Sequence, residues 1–246
     1  MHVLFALPIA IDGTKFRESA WSVFWFVIHL AVSLTTYLMC AKGPGFIQEG
    51  DGVPLVDDPQ GWECNACHMK VPMRCGHCRK CGRCLFRKDH HCPWIGTCIG
   101  KDNHLFFLVF IVALFNVSRN VISGCWRVAS TRHPLKTWLM TSLPCAIDVG
   151  LAGFCLLQVS FLIPTHIFLA CMNYTTWEFM KSGSISYLRD WDSFYSPFSK
   201  GLMGNIKEFL TMRWNTPSYH IPDSRQAMEQ WKEDNSFFFN DKYELC

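Results

Sequence analysis

The sequence predicts a mainly α, multi-pass membrane protein. It has three clear transmembrane helices, a short N-terminal apolar stub, and a cytosolic cysteine-rich domain between the first two full spans. Three observations carry that expectation. Half of the 246 residues are hydrophobic and the mean hydropathy is slightly positive, +0.10, more apolar than one soluble core requires. Three long stretches are almost free of charge. Eight of the 14 cysteines crowd into residues 64–98, at Cys-x2-Cys spacing with histidines interspersed. A net charge of +3 is too small to argue for nucleic acid as a partner.

Residues 3–11 are apolar but have about half the length a spanning helix requires. They lack the basic start and small-residue cleavage site of a signal peptide, and read as an interfacial or truncated first helix. Residues 20–41 contain no acid, lysine or arginine, are long enough to cross a hydrocarbon core, and stop at Lys42-Gly43-Pro44-Gly45. Residues 105–126 form the second span. Its Arg119 lies about 21 Å from the start, close enough to the far interface to snorkel. Residues 149–172 form the third, containing Gln158, Pro164 and His166, polar groups tolerated where they face other helices. Residues 138–147 are too short to span and, with Pro144, predict part of the loop before the last helix. The chain thus divides into 1–41, 42–104, 105–172 and 173–246. The last part mixes charges with Trp177, Tyr187, Trp191, Phe194, Tyr195 and Phe198, which predicts a small appendage along the membrane face. No internal repeat period is evident.

The loops set the orientation. Residues 64–104 carry eight Lys/Arg against only Asp89 and Asp102, whereas residues 12–19 are balanced in sign. The positive-inside tendency places the cysteine-rich segment in the cytosol, and counting spans places the tail after residue 172 there too.

Fourteen cysteines in a short secreted chain would suggest disulfides, but the Cys-x2-Cys pairs with histidines point to metal-bound thiolates in a reducing compartment. Cys64, Cys67, Cys78, Cys81, Cys84 and Cys98 with His77 and His91 make eight ligands, enough for two four-ligand structural zinc sites. Spacing alone does not decide which four share an ion. Two cysteines are left over. Cys75, between Arg74 and Gly76, reads as a bystander. Cys92 follows Asp89-His90-His91, and a thiol activated by a histidine that a carboxylate orients is the general recipe for covalent acyl transfer. Four adjacent residues meet this geometry if the backbone turns sharply, a turn the flanking ligands would hold.

These residues resemble a family. Cys64-x2-Cys67, Pro72-x-Arg74-x2-His77-Cys78, Cys81, Cys84, Asp89-His90-His91-Cys92-Pro93-Trp94, Cys98-Ile99-Gly100 and Asn103-His104 resemble the DHHC cysteine-rich domain of protein S-acyltransferases (palmitoyltransferases). Thr175-Thr176-Trp177-Glu178 is similar to the family's Thr-Thr-x-Glu motif, and Pro197-Phe198-x2-Gly201-x3-Asn205-x3-Phe209 to its C-terminal asparagine motif. The resemblance implies Cys64, Cys67, His77 and Cys84 on one zinc and Cys78, Cys81, His91 and Cys98 on the other. It implies His90 as the base for Cys92, Asp89 orienting His90, and Thr176 meeting Asp89. Thr175 and Glu178 would stand behind that contact, and Asn205 would brace the tail against the catalytic domain. Val71 stands where the family usually has a Lys or Arg, which would weaken a contact to coenzyme A phosphates. Thr97 replaces a frequent asparagine, and the family's usual four spans would include a shortened first one at residues 3–11.

The activity so implied is transfer of a long-chain acyl group from acyl-CoA, through an acyl-enzyme on Cys92, to cysteines of membrane-associated proteins. A cavity among the helices would hold the acyl chain, since burial is worth about 0.8 kcal/mol per methylene. Arg87, Lys88 and Lys101 are candidate contacts to the coenzyme A phosphates. The implied setting is an endomembrane, Golgi or ER, and an accessory subunit is compatible with the sequence. The rival reading is a catalytically weak, zinc-stabilised membrane scaffold. A soluble zinc-finger nucleic-acid binder fails on the three spans and the modest charge.

Overall fold

A computed structural model describes residues 16–47, 62–130, 135–189, 191, 196–214 and 219. The apolar stub at residues 3–11, and Phe194 and Tyr195 of the tail, lie outside the described residues. Three long helices come first to notice: α1 (Phe16–Ala41), α2 (His104–Ala129) and α3 (Leu135–Met172). Each contains an apolar span, Ala20–Ala41, His104–Arg127 and Leu143–Met172. Only 17, 22 and 11% of these windows are buried, so their apolar side chains need a lipid solvent to be covered. On α1 the rings of Trp21, Phe24 and Trp25 are exposed; Trp21 stacks on Phe24, and Trp25 meets both edge-to-face, the amphipathic cluster expected near a membrane–water boundary.

The segment 138–147, expected in a loop, lies within α3, a single helix of 38 residues that includes Pro144 and Pro164. A proline inside a helix removes one backbone hydrogen bond and crowds the preceding turn, but it does not force a loop where the surrounding residues favour helix. The helix is roughly 57 Å long at 1.5 Å per residue, nearly twice a hydrocarbon core of about 30 Å. The apolar count from residue 149 onward underestimates it.

By contact the chain falls into two compact units, residues 1–37 with 108–164, and residues 38–107 with 165–246. The first is built from membrane-spanning helix. The second holds the cysteine-rich segment, the end of α3 and the tail.

The cysteine-rich segment folds as three antiparallel hairpins: β1 (Trp62–Cys64) with β2 (Met69–Val71), β3 (Gly76–Cys78) with β4 (Arg83–Leu85), and β5 (His90–Cys92) with β6 (Thr97–Ile99). Strands of three residues bury too little to hold themselves together, so cross-links must do it. Gly100 marks where the hairpins close up. A Cβ there would come within 2.8 Å of Leu85 Cδ1 and of the Pro44 carbonyl oxygen, so a larger residue would part β4 from the loop after α1.

After α3 the tail forms α4 (Thr176–Lys181), a 3-10 turn (Ser182–Ser184) and α5 (Gly201–Thr211). Leu169 and Met172 of α3, with Tyr174, Ile185, Leu188, Trp191 and Phe198, form one core around Met73 of the hairpin segment. Trp191 and Phe198 are therefore core residues of the tail.

Candidate active site

The hairpins bring eight ligand-type side chains into two clusters. Cys64, Cys67, His77 and Cys84 form one, and Cys78, Cys81, His91 and Cys98 the other. His77 Nδ1 lies 3.6, 3.3 and 3.8 Å from the sulfurs of Cys64, Cys67 and Cys84. His91 Nδ1 lies 3.7, 3.3 and 3.7 Å from those of Cys78, Cys81 and Cys98. Metal–sulfur bonds of about 2.3 Å and metal–nitrogen bonds of about 2.0–2.1 Å give tetrahedral edges of about 3.5–3.8 Å. Both clusters approximate those edges, and each could hold a metal ion.

Strand register explains the grouping. His77 faces Cys84, and His91 faces Cys98, across their hairpins. Opposed residues share a face, and successive residues alternate faces. Cys78 therefore turns away from the cluster that His77 joins and enters the other. The same logic repeats along the segment. Cys64, Cys78 and Cys92 end the first strands of the three hairpins at a constant interval of 14 residues. The spacing Cys-x2-Cys-x9-His-x6-Cys occurs twice at that offset. An internal repeat is therefore present, contrary to the sequence expectation. It is carried by ligand positions rather than by hydropathy.

Cys92 occupies the ligand position of the third hairpin yet belongs to neither cluster. Its surroundings copy those of a ligand. Backbone N–H groups donate to Cys64 from Ala66 and Cys67, to Cys78 from Lys80 and Cys81, and to Cys92 from Trp94 and Ile95. What differs is the partner side chain. His90 and Cys92 stand two apart on β5 and so share a face, while His91 between them points to the metal cluster. The expectation of a sharp backbone turn is thus replaced by an extended strand whose alternation separates the two histidines.

Burial pushes the Cys92 thiol up, but the hydrogen bond with His90 and the amides of Ile95 and Trp94 prevail and hold its pKa below the ordinary value. Burial also opposes the His90 imidazolium; the hydrogen bond to Asp89 and the one to Cys92 outweigh it and push its pKa up to about 9. His90 Nδ1 donates to Asp89 Oδ2 at 2.6 Å. Asp89 is fully buried. That burial favours the neutral acid, yet His104 nearby and the hydrogen bond from His90 hold the carboxyl well below the usual carboxylate range. Thr176 completes its coordination, donating from its backbone N–H to Oδ1 at 2.7 Å and from Oγ1 to Oδ2 at 2.9 Å. The arrangement can present a thiolate beside an imidazolium, with a carboxylate fixing the ring.

Thr176 is held in turn by the start of α4. Thr175 Oγ1 accepts from the Glu178 amide at 3.1 Å, and Glu178 Oε2 accepts from the Thr175 amide at 2.9 Å, a reciprocal cap. Glu178 is gripped by Arg74, whose Nε and Nη2 donate to its two oxygens at 2.8 and 2.7 Å. Arg74 also donates to the side chain and carbonyl of Asn173 and lies over the Phe198 ring, 4.0 Å from its centroid. Arg74 and Asn173 both adopt positive φ, 64° and 54°, a strained conformation for a residue with a side chain, which fixes where the network sits. Below Asp89, two further buried histidines meet: His104 Nε2 lies 3.1 Å from His166 Nδ1 and 3.8 Å from Asp89 Oδ1.

Asn205 donates to the Cys171 carbonyl at 2.7 Å and accepts from the Lys200 amide. It therefore fastens α5 to the end of α3. Glu208 makes the link to the hairpins, pairing with Arg87 at 2.8 Å. Arg87 is itself buried and donates to Asn173 Oδ1 at 2.7 Å, which corrects its reading as a phosphate contact: its guanidinium is enclosed. Lys88 Nζ donates to the His77 carbonyl at 2.7 Å and lies over the Trp177 ring. Lys101 is partly buried, with Nζ 3.9 Å from Asp102. Val71 is a core residue of the first hairpin.

Sequence reasoning gave no role to Arg74, Asn173, Glu208, His104 or His166. An arginine inside the Pro-x-Arg motif and a histidine inside an apolar span were the available signals, since an ionisable residue at membrane depth is rarely incidental.

Comparison with known proteins agrees with this geometry. The sequence profile of the DHHC palmitoyltransferase family matches residues 59–183. Palmitoyltransferase ZDHHC12 of Mus musculus is 35% identical over 196 residues, covering 75% of this chain and 73% of that protein. A Dictyostelium discoideum protein provisionally named ZDHHC-type palmitoyltransferase 7 is 35% identical over 195 residues, 74% of this chain and 42% of its own length. Palmitoyltransferase ZDHHC12 of Homo sapiens is 36% identical over 147 residues, 60% of this chain and 54% of its own length. The chain thus spans about half the length of several curated relatives, and nearly three quarters of the mouse protein. On the profile match and the mouse relative, the chain belongs to the DHHC palmitoyltransferase family.

Proposed function

We propose that the protein is an acyl-CoA-dependent protein S-acyltransferase with Cys92 as its nucleophile. The observation that carries this reading is the line Asp89–His90–Cys92: a thiol in a ligand-like amide cradle, outside both clusters, beside an imidazole fixed by a buried carboxylate. The Cys92 thiolate attacks the thioester carbonyl of a long-chain acyl-CoA. The new carbon–sulfur bond replaces the one to coenzyme A, whose departing thiolate takes the proton carried by His90. A cysteine thiol of a membrane-apposed protein then gives its proton to His90 and attacks the acyl-Cys92 thioester, releasing the Cys92 thiolate. Asp89 stays ionised throughout and keeps the imidazole oriented, and Thr176 keeps Asp89 in place.

The donor sets fit zinc. Three thiolates and one imidazole at tetrahedral edges suit that ion, which would supply only cross-linking to hairpins too short to hold themselves. Cys64, Cys67, His77 and Cys84 would hold one ion and Cys78, Cys81, His91 and Cys98 the other. Lys88 and Lys101 are the basic residues left to meet coenzyme A phosphates once Arg87 is set aside. The excess of basic residues over 64–104 supports a cytosolic hairpin segment and tail, in an endomembrane such as Golgi or ER.

The test is labelling with a radioactive or alkynyl acyl-CoA. Wild-type protein takes a hydroxylamine-labile label and passes it to a cysteine peptide. Cys92→Ser takes none, and His90→Ala labels at least about 100-fold more slowly, the ordinary contribution of a positioned acid–base group. Persistent label on Cys92→Ser would sink the mechanism. Self-acylation of the wild type without transfer to any thiol would favour the scaffold reading.

A further inference from the structure

We infer that Cys125 and Cys145 form a disulfide linking α2 to α3 on the non-cytosolic side of the membrane. The two thiols are in side-chain hydrogen-bonding contact. They are 8 and 6% exposed, and among the described side chains of residues 121–130 and 135–151 they alone are buried. Neighbours such as Trp126, Leu143 and Ile147 are 73, 68 and 62% exposed. Among the described side chains at this level, the cysteines are the ones the two helices fully bury.

Topology puts the pair in an oxidising place. Cys125 lies near the end of the span His104–Arg127 and Cys145 near the start of the next span, Leu143–Met172. α2 begins directly after the third hairpin, and α3 ends directly before the Thr176 contact to Asp89. One crossing separates the hairpins from the cysteine pair. This step rests on the cytosolic orientation proposed above; it follows that the pair faces the lumen, where structural disulfides form and persist. The hairpin cysteines, by contrast, stay reduced in the cytosol.

The chemistry is ordinary exchange with a disulfide-bearing oxidant of that compartment, such as an oxidoreductase disulfide or glutathione disulfide. One cysteine thiolate attacks a sulfur of the oxidant, breaking its disulfide and forming a mixed disulfide. The second thiolate attacks the protein sulfur of that bond and expels the other oxidant sulfur. The oxidant gains two electrons and two protons, and Cys125 and Cys145 lose them.

Differential alkylation of the full chain tests this. Membranes are denatured with one maleimide present, then reduced, and a second, heavier label is added before peptide mass spectrometry. Cys125 and Cys145 should carry the second label, and in Cys125→Ser the Cys145 peptide should switch to the first. In parallel, Ser130→Cys, at an exposed site directly after α2, is probed with an impermeant maleimide in sealed microsomes. Protection there together with first-label Cys125 and Cys145 overturns the disulfide and leaves the orientation standing. Labelling of Ser130→Cys in sealed vesicles overturns the orientation, and the disulfide with it.

Discussion

The second and third hairpins have the same backbone plan and different surroundings. In each, a histidine at the middle of the first strand faces a cysteine across the pair, His77 with Cys84 and His91 with Cys98. In each, the next residue is a cysteine cradled by two amides. Cys78 finds a following hairpin to share, and becomes part of a four-ligand cluster. Cys92 has no fourth hairpin after it; the chain enters α2. In place of further ligands it meets His90, backed by Asp89 and Thr176. In the proposed mechanism the same local fold that would hold a thiolate for a metal holds another for attack, and the difference is made by what lies opposite.

The largest way to break that comparison is to exchange the roles. Cys78→Ser should lose one ion of two and with it the tie between the second and third hairpins, a loss on the order of the 10 kcal/mol that structural zinc binding supplies. Metal analysis and protease sensitivity read it. Cys92→Ser should keep both ions and its resistance to protease.

Arg74→Leu comes next. It strips the partner from a Glu178 that is fully buried, and removing one member of such a pair costs about 3–5 kcal/mol. The melting temperature should fall and acyl labelling with it, and Arg74→Lys should recover only part of either, since one ammonium cannot reproduce the two-pronged contact.

Thr176→Val is milder and sharper. It keeps the amide bond to Asp89 Oδ1 and deletes only the hydroxyl bond to Oδ2. A hydrogen bond to a charged group is worth about 1.5–3 kcal/mol, so labelling should slow by roughly 10- to 100-fold with both ions retained.

The smallest effect is expected at Glu208. Burial raises its carboxyl, but Arg87, Lys200 and Arg74 overcome this and bring its pKa down to about 2. A carboxylate depressed on folding stabilises above its unfolded pKa and loses that contribution as pH falls through the folded one. The difference in melting temperature between wild type and Glu208→Gln should therefore be full at neutral pH and shrink between about pH 4.5 and pH 2, followed by thermal scans of both proteins.

What could be read from the chain alone follows from the range of each interaction. The three spans are local hydropathy and are legible to within a few residues at most ends; the start of α3 is not, because Pro144 signals a loop that its apolar surroundings override. The 14-residue repeat is also local, but it lies in the ligand positions and leaves no period in hydropathy. Aligning them would have paired the clusters without a structure. Arg74 and Glu178 are 104 residues apart, and Arg87 and Glu208 are 121 apart. Nothing in either neighbourhood marks these as partners, so Arg87 read as a surface cation when it is enclosed. The split between His90 and His91 was legible as a difference of role. Its cause, one alternation of a three-residue strand, needed the register.

That alternation is tested most directly by measuring zinc content and acyl labelling together in His90→Ala and His91→Ala. His90→Ala should retain two ions per chain and lose labelling, and His91→Ala should lose one ion. Normal labelling of His90→Ala, or the loss of an ion from it, would contradict the separation of the two histidines onto opposite faces of β5.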